Sequence, residues 1–261
     1  MDAALLPEVD KLVRETGEWI LSQQAVFTDS DIEEKSLNNL VSYVDKTAEK
    51  KLVEGLRVLW PQAAFLTEEG TVHYQPAEWE WIIDPLDGTT NFLHQIPVYC
   101  ISVALRRNQE IVLGVIYDPN RRESFTALSG RGAHLNGKPI RVSTTPSLQS
   151  ALIATGFPHR NFEGMDAYIR SLEYFFYRTR GLRRMGAAAI DLAYIACGRM
   201  DGFFELKLNP WDIAAGVLLI REAGGMISDF GGSDDFLFKS ELLAGNPAVY
   251  LEMKEVLAKY F

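Results

Sequence analysis

Six acidic residues stand where elements of secondary structure begin or end: Asp45, Glu68, Glu69, Asp84, Asp87 and Asp212. Asp84 and Asp87 follow the apolar stretch Trp81-Ile82-Ile83, either side of Pro85-Leu86, in "WIIDPLDGTTNF" (81–92). Each acid alone has an ordinary explanation: a glutamate after a strand is commonly a solvated turn residue, and an aspartate near a helix start is commonly a cap. The "DPLDG" spacing alone fits an Asx turn as well as a metal-binding turn. Taken together the acids repel, and converging carboxylates are favourable chiefly when a hard divalent cation lies between them. Oxygen ligands without histidine or cysteine suit Mg2+ or Mn2+ better than zinc.

The residues that follow supply a complementary function. Gly88 has no side chain to bar close approach of a phosphate to the backbone. Thr89 and Thr90 are natural first residues of a helix, whose free N–H groups and positive dipole end suit that phosphate. Carboxylates for a metal beside amides for a phosphate point to metal-assisted hydrolysis of a phosphate ester.

These groups need a frame. Leu5, Leu6, Val9, Leu12, Val13, Trp19 and Ile20 have helical spacing and predict a helix from residue 3 to about 25. A second helix is expected from Val44 to Leu59, opened by Asp45 and stopped by Pro61. "AAFLTEEG" reads as a short strand ending in acids. From Tyr99 to Leu128 the chain alternates, with turns at Asn108 and at Asp118-Pro119-Asn120, and predicts an antiparallel meander. "HLNGKPI" adds an Asn136-Gly137 hairpin. Beyond "STTPS" (143–147), strands alternate with helices: a strand in "ALIATGFP", a helix over 163–178, a helix in "GAAAIDLAYIACG", a strand in "DGFFEL", and a helix opened by Pro210 and closed by Gly224-Gly225. "MISDF", "ELLAGNP" and a last helix over 247–260 complete the chain. The expectation is an α+β half over 1–143 with most of the acids and the phosphate loop, and an α/β half over 144–261 with Asp212, joined in one compact unit.

Composition narrows the class. The 261 residues are 47% hydrophobic and 23% charged, with a net charge of −9. An acidic chain has no electrostatic case for binding nucleic acid or an anionic membrane; a bound cation is the usual device by which one holds an anion. The acidic start lacks a signal peptide's basic region, and no run is long enough to span a bilayer, so the expected location is the cytoplasm. Cys100 and Cys197 are expected to be buried thiols, and His73, His94, His134 and His159 to be surface or loop residues.

"DPLDGTTN" (84–91), "WDIAAG" (211–216), "AGG" (223–225) and "TEEG" (67–70) together resemble the inositol monophosphatase family, the lithium-sensitive, Mg2+-dependent phosphomonoesterases. "LVSYVDKTAE" (40–49) and "RRMGAAAIDLAYIACGRMDGFFE" (183–205) extend the resemblance over nearly the whole chain. It implies an αβαβα sandwich of the inositol monophosphatase and fructose-1,6-bisphosphatase type, and a homodimer. It implies that Glu68, Asp84 and the Leu86 carbonyl hold one Mg2+, that Asp84, Asp87 and Asp212 hold a second, and that a third, weaker ion lies near Glu68. The amides of Gly88 and Thr89 would receive the phosphate. Thr89, supported by Asp45, would help Glu68 orient the attacking water. Glu205 would hydrogen-bond substrate hydroxyls beside Gly186 and Ala187, with Asp87 and Asp212 also reaching the substrate.

The chain departs from the family pattern at Asn39, where an aspartate is frequent, at Ala187, where a threonine is frequent, and at Asn209, where animal members carry a histidine. These bear on the substrate and on metal affinity, and leave the acids intact. Inositol monophosphate is the leading substrate; fructose 1,6-bisphosphate, histidinol phosphate and adenosine 3′,5′-bisphosphate are the alternatives within the same chemistry. Arg183, Arg184 and Lys207 either favour a second phosphate or are solvated surface cations. An aspartyl nucleophile at Asp87 is the mechanistic rival. A different class of role is regulatory, since some bacterial members also contact transcription or translation machinery through a protein partner.

Overall fold

The computed structural model describes residues 4–24, 26, 32–36, 39–157 and 163–261, with backbone only for 32–36 and 39–41. α1 (Leu5–Gln23) is followed by a hairpin of β1 (Ile32–Ser36) and β2 (Asn39–Ser42), then by α2 (Tyr43–Leu59). Next come β3 (Ala64–Thr67), β4 (Trp79–Asp87), the short α3 (Thr89–Leu93), and β5 (Cys100–Arg107), β6 (Glu110–Asp118), β7 (Glu123–Leu128), β8 (Ala133–Leu135) and β9 (Lys138–Ile140). β3 to β9 form a seven-stranded sheet in chain order, antiparallel except for the β3–β4 pair. The β8–β9 turn has positive φ at both Asn136 and Gly137, as a two-residue hairpin loop requires.

β10 (Leu152–Thr155), α4 (Met165–Arg178), β11 (Gly181–Arg183), α5 (Ala188–Ala196), β12 (Gly202–Leu206), α6 (Pro210–Glu222), β13 (Met226–Ser228), β14 (Glu241–Gly245) and α7 (Pro247–Leu257) complete the chain. Their strands make a five-stranded sheet in the order β11-β10-β12-β14-β13. Alternation along β4 feeds two cores. Trp81 and Ile83 pack with Val9, Val13, Leu52 and Leu56 of α1 and α2, while Ile82 packs with Leu192 of α5 and Ala215 and Leu219 of α6. The far side of α5 and α6 meets Ala154 and Phe203 of the second sheet. That sheet's outer face, with Ile153, Phe204 and Leu243, is covered by Phe175 of α4 and Met253 of α7. The result is the five-layer αβαβα sandwich.

Three expectations are corrected in detail. Asp84 and Asp87 do not follow the strand; they lie within it, opposite Ser102 and Cys100 of β5 across a register shift. Pro85 occupies that irregular stretch, where its missing N–H interrupts no regular ladder bond. Cys197 is only partly buried, although both cysteines are free thiols. His134 is a half-buried residue of β8, His73 and His94 are exposed, and His159 lies outside the described residues. Among the described residues no helix is long and apolar enough to cross a membrane.

Candidate active site

A cleft of about 590 Å³ opens where β4 ends and where the first turns of α3, α5 and α6 meet β12. Glu68, Asp84, Leu86, Asp87, Gly88, Thr89, Gly186, Ala187, Glu205 and Asp212 all line it. Asp45 stands behind Thr89. Of the three cations, Arg184 and Lys207 line the cleft, while Arg183 turns back to the Leu182 carbonyl. Asn39 opens β2 and has no described side chain, and Asn209 lines the cleft as the N-cap of α6.

Local structure explains how each acid is held. Ser42 and Asp45 form the capping box of α2: the Ser42 backbone N–H (2.9 Å) and hydroxyl (2.7 Å) both donate to Asp45 Oδ2. Asn209 and Asp212 repeat the device at α6, with the Asn209 N–H donating to Asp212 Oδ2 at 2.7 Å. Two acids at the third position of a helix are thus each fixed through one oxygen, Oδ2, by the residue that caps the helix. Asp45 Oδ1 is 3.0 Å from the Thr89 hydroxyl, which is also 3.0 Å from the Leu86 carbonyl and can donate to one of them at a time. Asp84 accepts from the Leu86 N–H at 2.9 Å. Asp87 accepts from the Ala189 N–H at 2.7 Å, at the open end of α5. Glu68 is placed by its own N–H, which bonds to the Ile83 carbonyl at 3.2 Å.

Gly88 has φ +94°, and a Cβ there would lie 2.9 Å from the Val98 carbonyl oxygen. The glycine is therefore required by the left-handed backbone and by packing on Val98 and Tyr99, rather than only by access for a phosphate. At Gly156 a Cβ would lie 1.9 Å from Glu205 Oε1, so the Glu205 carboxylate rests directly on the Gly156 backbone.

Electrostatics are dominated by burial and mutual repulsion. The carboxyl of Glu68 is pushed up to about 8 by burial and then by Asp212. Asp84 is held well above the usual range by burial and then by Glu68 and Asp87. Asp87 is pushed up to about 7 by burial and Asp212, against the N–H groups of Ala189 and Ala188. Burial raises Glu205 to about 8, opposed by Arg184. These groups meet solvent through the cleft mouth and protein on every other side. Among the described residues, no three such side chains already form a closed ligand set. The donor set nevertheless fits a hard divalent cation: it is all oxygen, it converges, and a cation would offset the burial and mutual repulsion that raise Glu68, Asp84 and Asp87.

The sequence reasoning passed over several lining residues, among them Thr155, Gly156, Phe157 and Asp191, and one supporting group. Glu49, fully buried in α2, accepts from the Thr67 hydroxyl (2.9 Å) and from the N–H groups of Glu69 and Thr71 (2.7 Å each), which fixes the turn carrying Glu68. A glutamate one helical turn beyond Asp45, on the buried face, was the available signal. For Asp191 the signal was a lone charge in the apolar run "AAIDLAYIA".

Comparison with known proteins bears on this cleft directly. The profile of the inositol monophosphatase family matches residues 5–261. The chain belongs to that family. Nus factor SuhB of Escherichia coli (strain K12) is 41% identical over 244 residues, covering 93% of this chain and 91% of that protein. Nus factor SuhB of Pseudomonas aeruginosa is 43% identical over 241 residues, covering 90% and 89%. Among solved structures, extragenic suppressor protein suhB of Bartonella henselae superposes with a TM-score of 0.93 at 38% identity, covering 98% of this chain and 99% of that one. Inositol monophosphatase of Anabaena gives 0.85 at 33% identity, covering 98% and 96%. Membership of the inositol monophosphatase family supports a metal-binding phosphatase.

Proposed function

We propose that the chain is a Mg2+-dependent hydrolase of phosphate monoesters, with inositol monophosphate as its leading substrate. The observation that carries this reading is the convergence of Glu68, Asp84, Asp87 and Asp212 in one cleft with Gly88 and Thr89. Glu68, Asp84 and the Leu86 carbonyl would hold one ion, and Asp84, Asp87 and Asp212 a second; a third ion near Glu68, and Mn2+ in place of Mg2+, belong to the same proposal. When bound, Mg2+ makes the attacking water more acidic and neutralises charge developing on the leaving oxygen. The chain's own residues do the rest. The amides of Gly88 and Thr89 hold the phosphate, in the positive field at the first turns of α5 and α6. The Thr89 hydroxyl, fixed by Asp45, orients the water with Glu68. Glu205 accepts from the alcohol, beside Gly186 and Ala187.

A water nucleophile is favoured over an aspartyl phosphoenzyme because Asp87 Oδ2 is tied to the α5 N-terminus. The division into halves at 143/144, a homodimer, a cytoplasmic location and lithium sensitivity complete the proposal. It is tested by phosphate release from inositol 1-phosphate, fructose 1,6-bisphosphate, histidinol phosphate and adenosine 3′,5′-bisphosphate, with Mg2+ and with or without lithium. Fastest hydrolysis of inositol 1-phosphate, suppressed by millimolar lithium, is expected. Much faster cleavage of the adenosine ester would displace the leading substrate.

The names of the relatives favour a second reading. They are called Nus factors, so the expectation of no nucleic-acid partner has no support from them, and a regulatory role beside catalysis is proposed. In a deletion strain, a phenotype rescued equally by wild type and by Asp87→Asn would favour that role. Loss of rescue together with loss of phosphatase activity would argue against it.

A further inference from the structure

We propose that Asp191 is a second recognition carboxylate for the alcohol part of the substrate, making the Glu205 side of the cleft a receptor for a hydroxyl-rich leaving group. The inference rests on reading the cleft as a phosphate-monoester site.

Asp191 is 1% exposed, lines the cleft, and has a buried Oδ1 with no hydrogen-bond partner. It sits in the first turn of α5, whose other residues from Ala188 to Ala196 are all buried and, apart from the Tyr194 hydroxyl, apolar. A carboxylate placed only to cap that helix would accept from the free N–H groups of its first turn. Those of Ala188 and Ala189 are directed at Asp87 instead. The hydroxyls of the same wall are also committed elsewhere. Thr155 Oγ1 lies 2.7 Å from the Phe204 carbonyl and pairs with the Tyr168 hydroxyl, which also meets the Gly156 carbonyl.

The charged groups that act on Asp191 are Glu205, Asp87 and Arg184. Two of the three repel it, and Arg184 lies against the Phe157 ring, 5.7 Å from its centroid, at the cleft's exposed side. A buried acceptor left unpaired is costly to the fold, and α5 could be built entirely of alanine and aliphatic residues. A ligand donor would satisfy it. Phosphate oxygens are acceptors and would be repelled, so the matching part of the substrate is the alcohol. Glu205 and Asp191 together present acceptors for two hydroxyls of one polyol, and a second phosphate against this wall is disfavoured.

The test compares wild type, Asp191→Asn and Asp191→Ala on inositol 1-phosphate and on p-nitrophenyl phosphate, whose leaving group has no hydroxyl beyond the esterified one. The ratio of kcat/KM for the polyol ester to that for the aryl ester should fall about tenfold or more in Asp191→Ala, and less in Asp191→Asn, which keeps an acceptor. Thermal melting should show both variants as stable as wild type or more so, because an unpaired buried carboxyl is removed. An unchanged ratio, or a lower Tm with equal loss on both esters, would overturn the proposal and make Asp191 structural. Calorimetric titration of free inositol separates the two readings. If wild type cleaves neither ester, the phosphatase reading fails; inositol binding that Asp191→Ala abolishes would still uphold this proposal, and its absence would overturn both.

Discussion

The two sides of the cleft are held in opposite ways. On the β4–α3 side, Asp45, Asp84 and Asp87 each accept a backbone N–H within a few residues of a helix start or a strand irregularity. On the Glu205 side, one carboxylate rests on Gly156 and the other, Asp191, has an oxygen with no partner. Bracing suits groups that must hold fixed positions around ions of fixed size. Unmet acceptors suit a surface completed by its ligand. The reaction is thus centred on β4 and the start of α3, with Asp45, Glu68 and Asp212 brought to it by packing, and the alcohol side is built from α5 and the second sheet.

That contrast can be broken experimentally, and the braced side should respond most. Asp84→Asn alters the most buried of the four acids proposed to hold metal and should lower kcat for any monoester on the order of 10³-fold, since loss of metal-borne charge stabilisation is worth several kcal/mol. A loss confined to inositol 1-phosphate would contradict a shared reaction centre. Thr89→Val deletes the hydroxyl held by Asp45 and should cost roughly 10²-fold in kcat with little change in KM, as for other positioned proton-handling groups. A pure KM effect would move Thr89 to substrate binding.

The Glu205 side should respond more narrowly. Gly156→Ala forces the Glu205 carboxylate away and should reduce the preference for polyol over aryl esters by about tenfold, the worth of one hydrogen bond to a charged group. Equal loss on both would show that Gly156 serves the whole cleft. The smallest effect is in pH dependence. Glu68 and Asp87 titrate near about 8 and about 7 when folded, against 4.5 and 3.8 ordinarily. The folded chain then binds more protons than the unfolded one, so their contribution is fully present below about pH 4 and is lost as pH rises through about 7 to 8. In chelator, Tm should fall from about pH 5 to about pH 8, and excess Mg2+ should raise Tm more at the higher pH. A Mg2+ effect independent of pH would contradict the proposed coupling.

The same contrast explains what the sequence disclosed. Asp84, Asp87, Gly88 and Thr89 were legible because they stand together in one short motif, although Asp87 and Thr89 find partners in Ala189 and Asp45 far along the chain; the meander and α2 were legible from their periodicity, and α6 from Pro210 at its start and Gly224-Gly225 after its end. The hairpin β1–β2 was missed because "IEEKS" is polar without alternation, and β11 because three residues carry no period. Glu49 and Asp191 were missed for another reason. Glu49 braces a turn 18 to 22 residues away, and the meaning of Asp191 depends on which N–H groups α5 gives to Asp87. Neither relation exists until the layers pack. Gly88 was read for the phosphate alone, when Val98 also demands it.

The most direct measurement is phosphate release from inositol 1-phosphate against Mg2+ concentration, for wild type and for Asp212→Asn. Asp212 is braced by Asn209 at α6, far in sequence from the other acids, so it tests whether the cleft works as one metal site. The account predicts saturable dependence on Mg2+ in wild type, and in Asp212→Asn a loss of roughly 10²-fold or more that saturating Mg2+ does not restore, with Tm not lowered. Unchanged turnover at saturating Mg2+, or full activity in chelator, would contradict it.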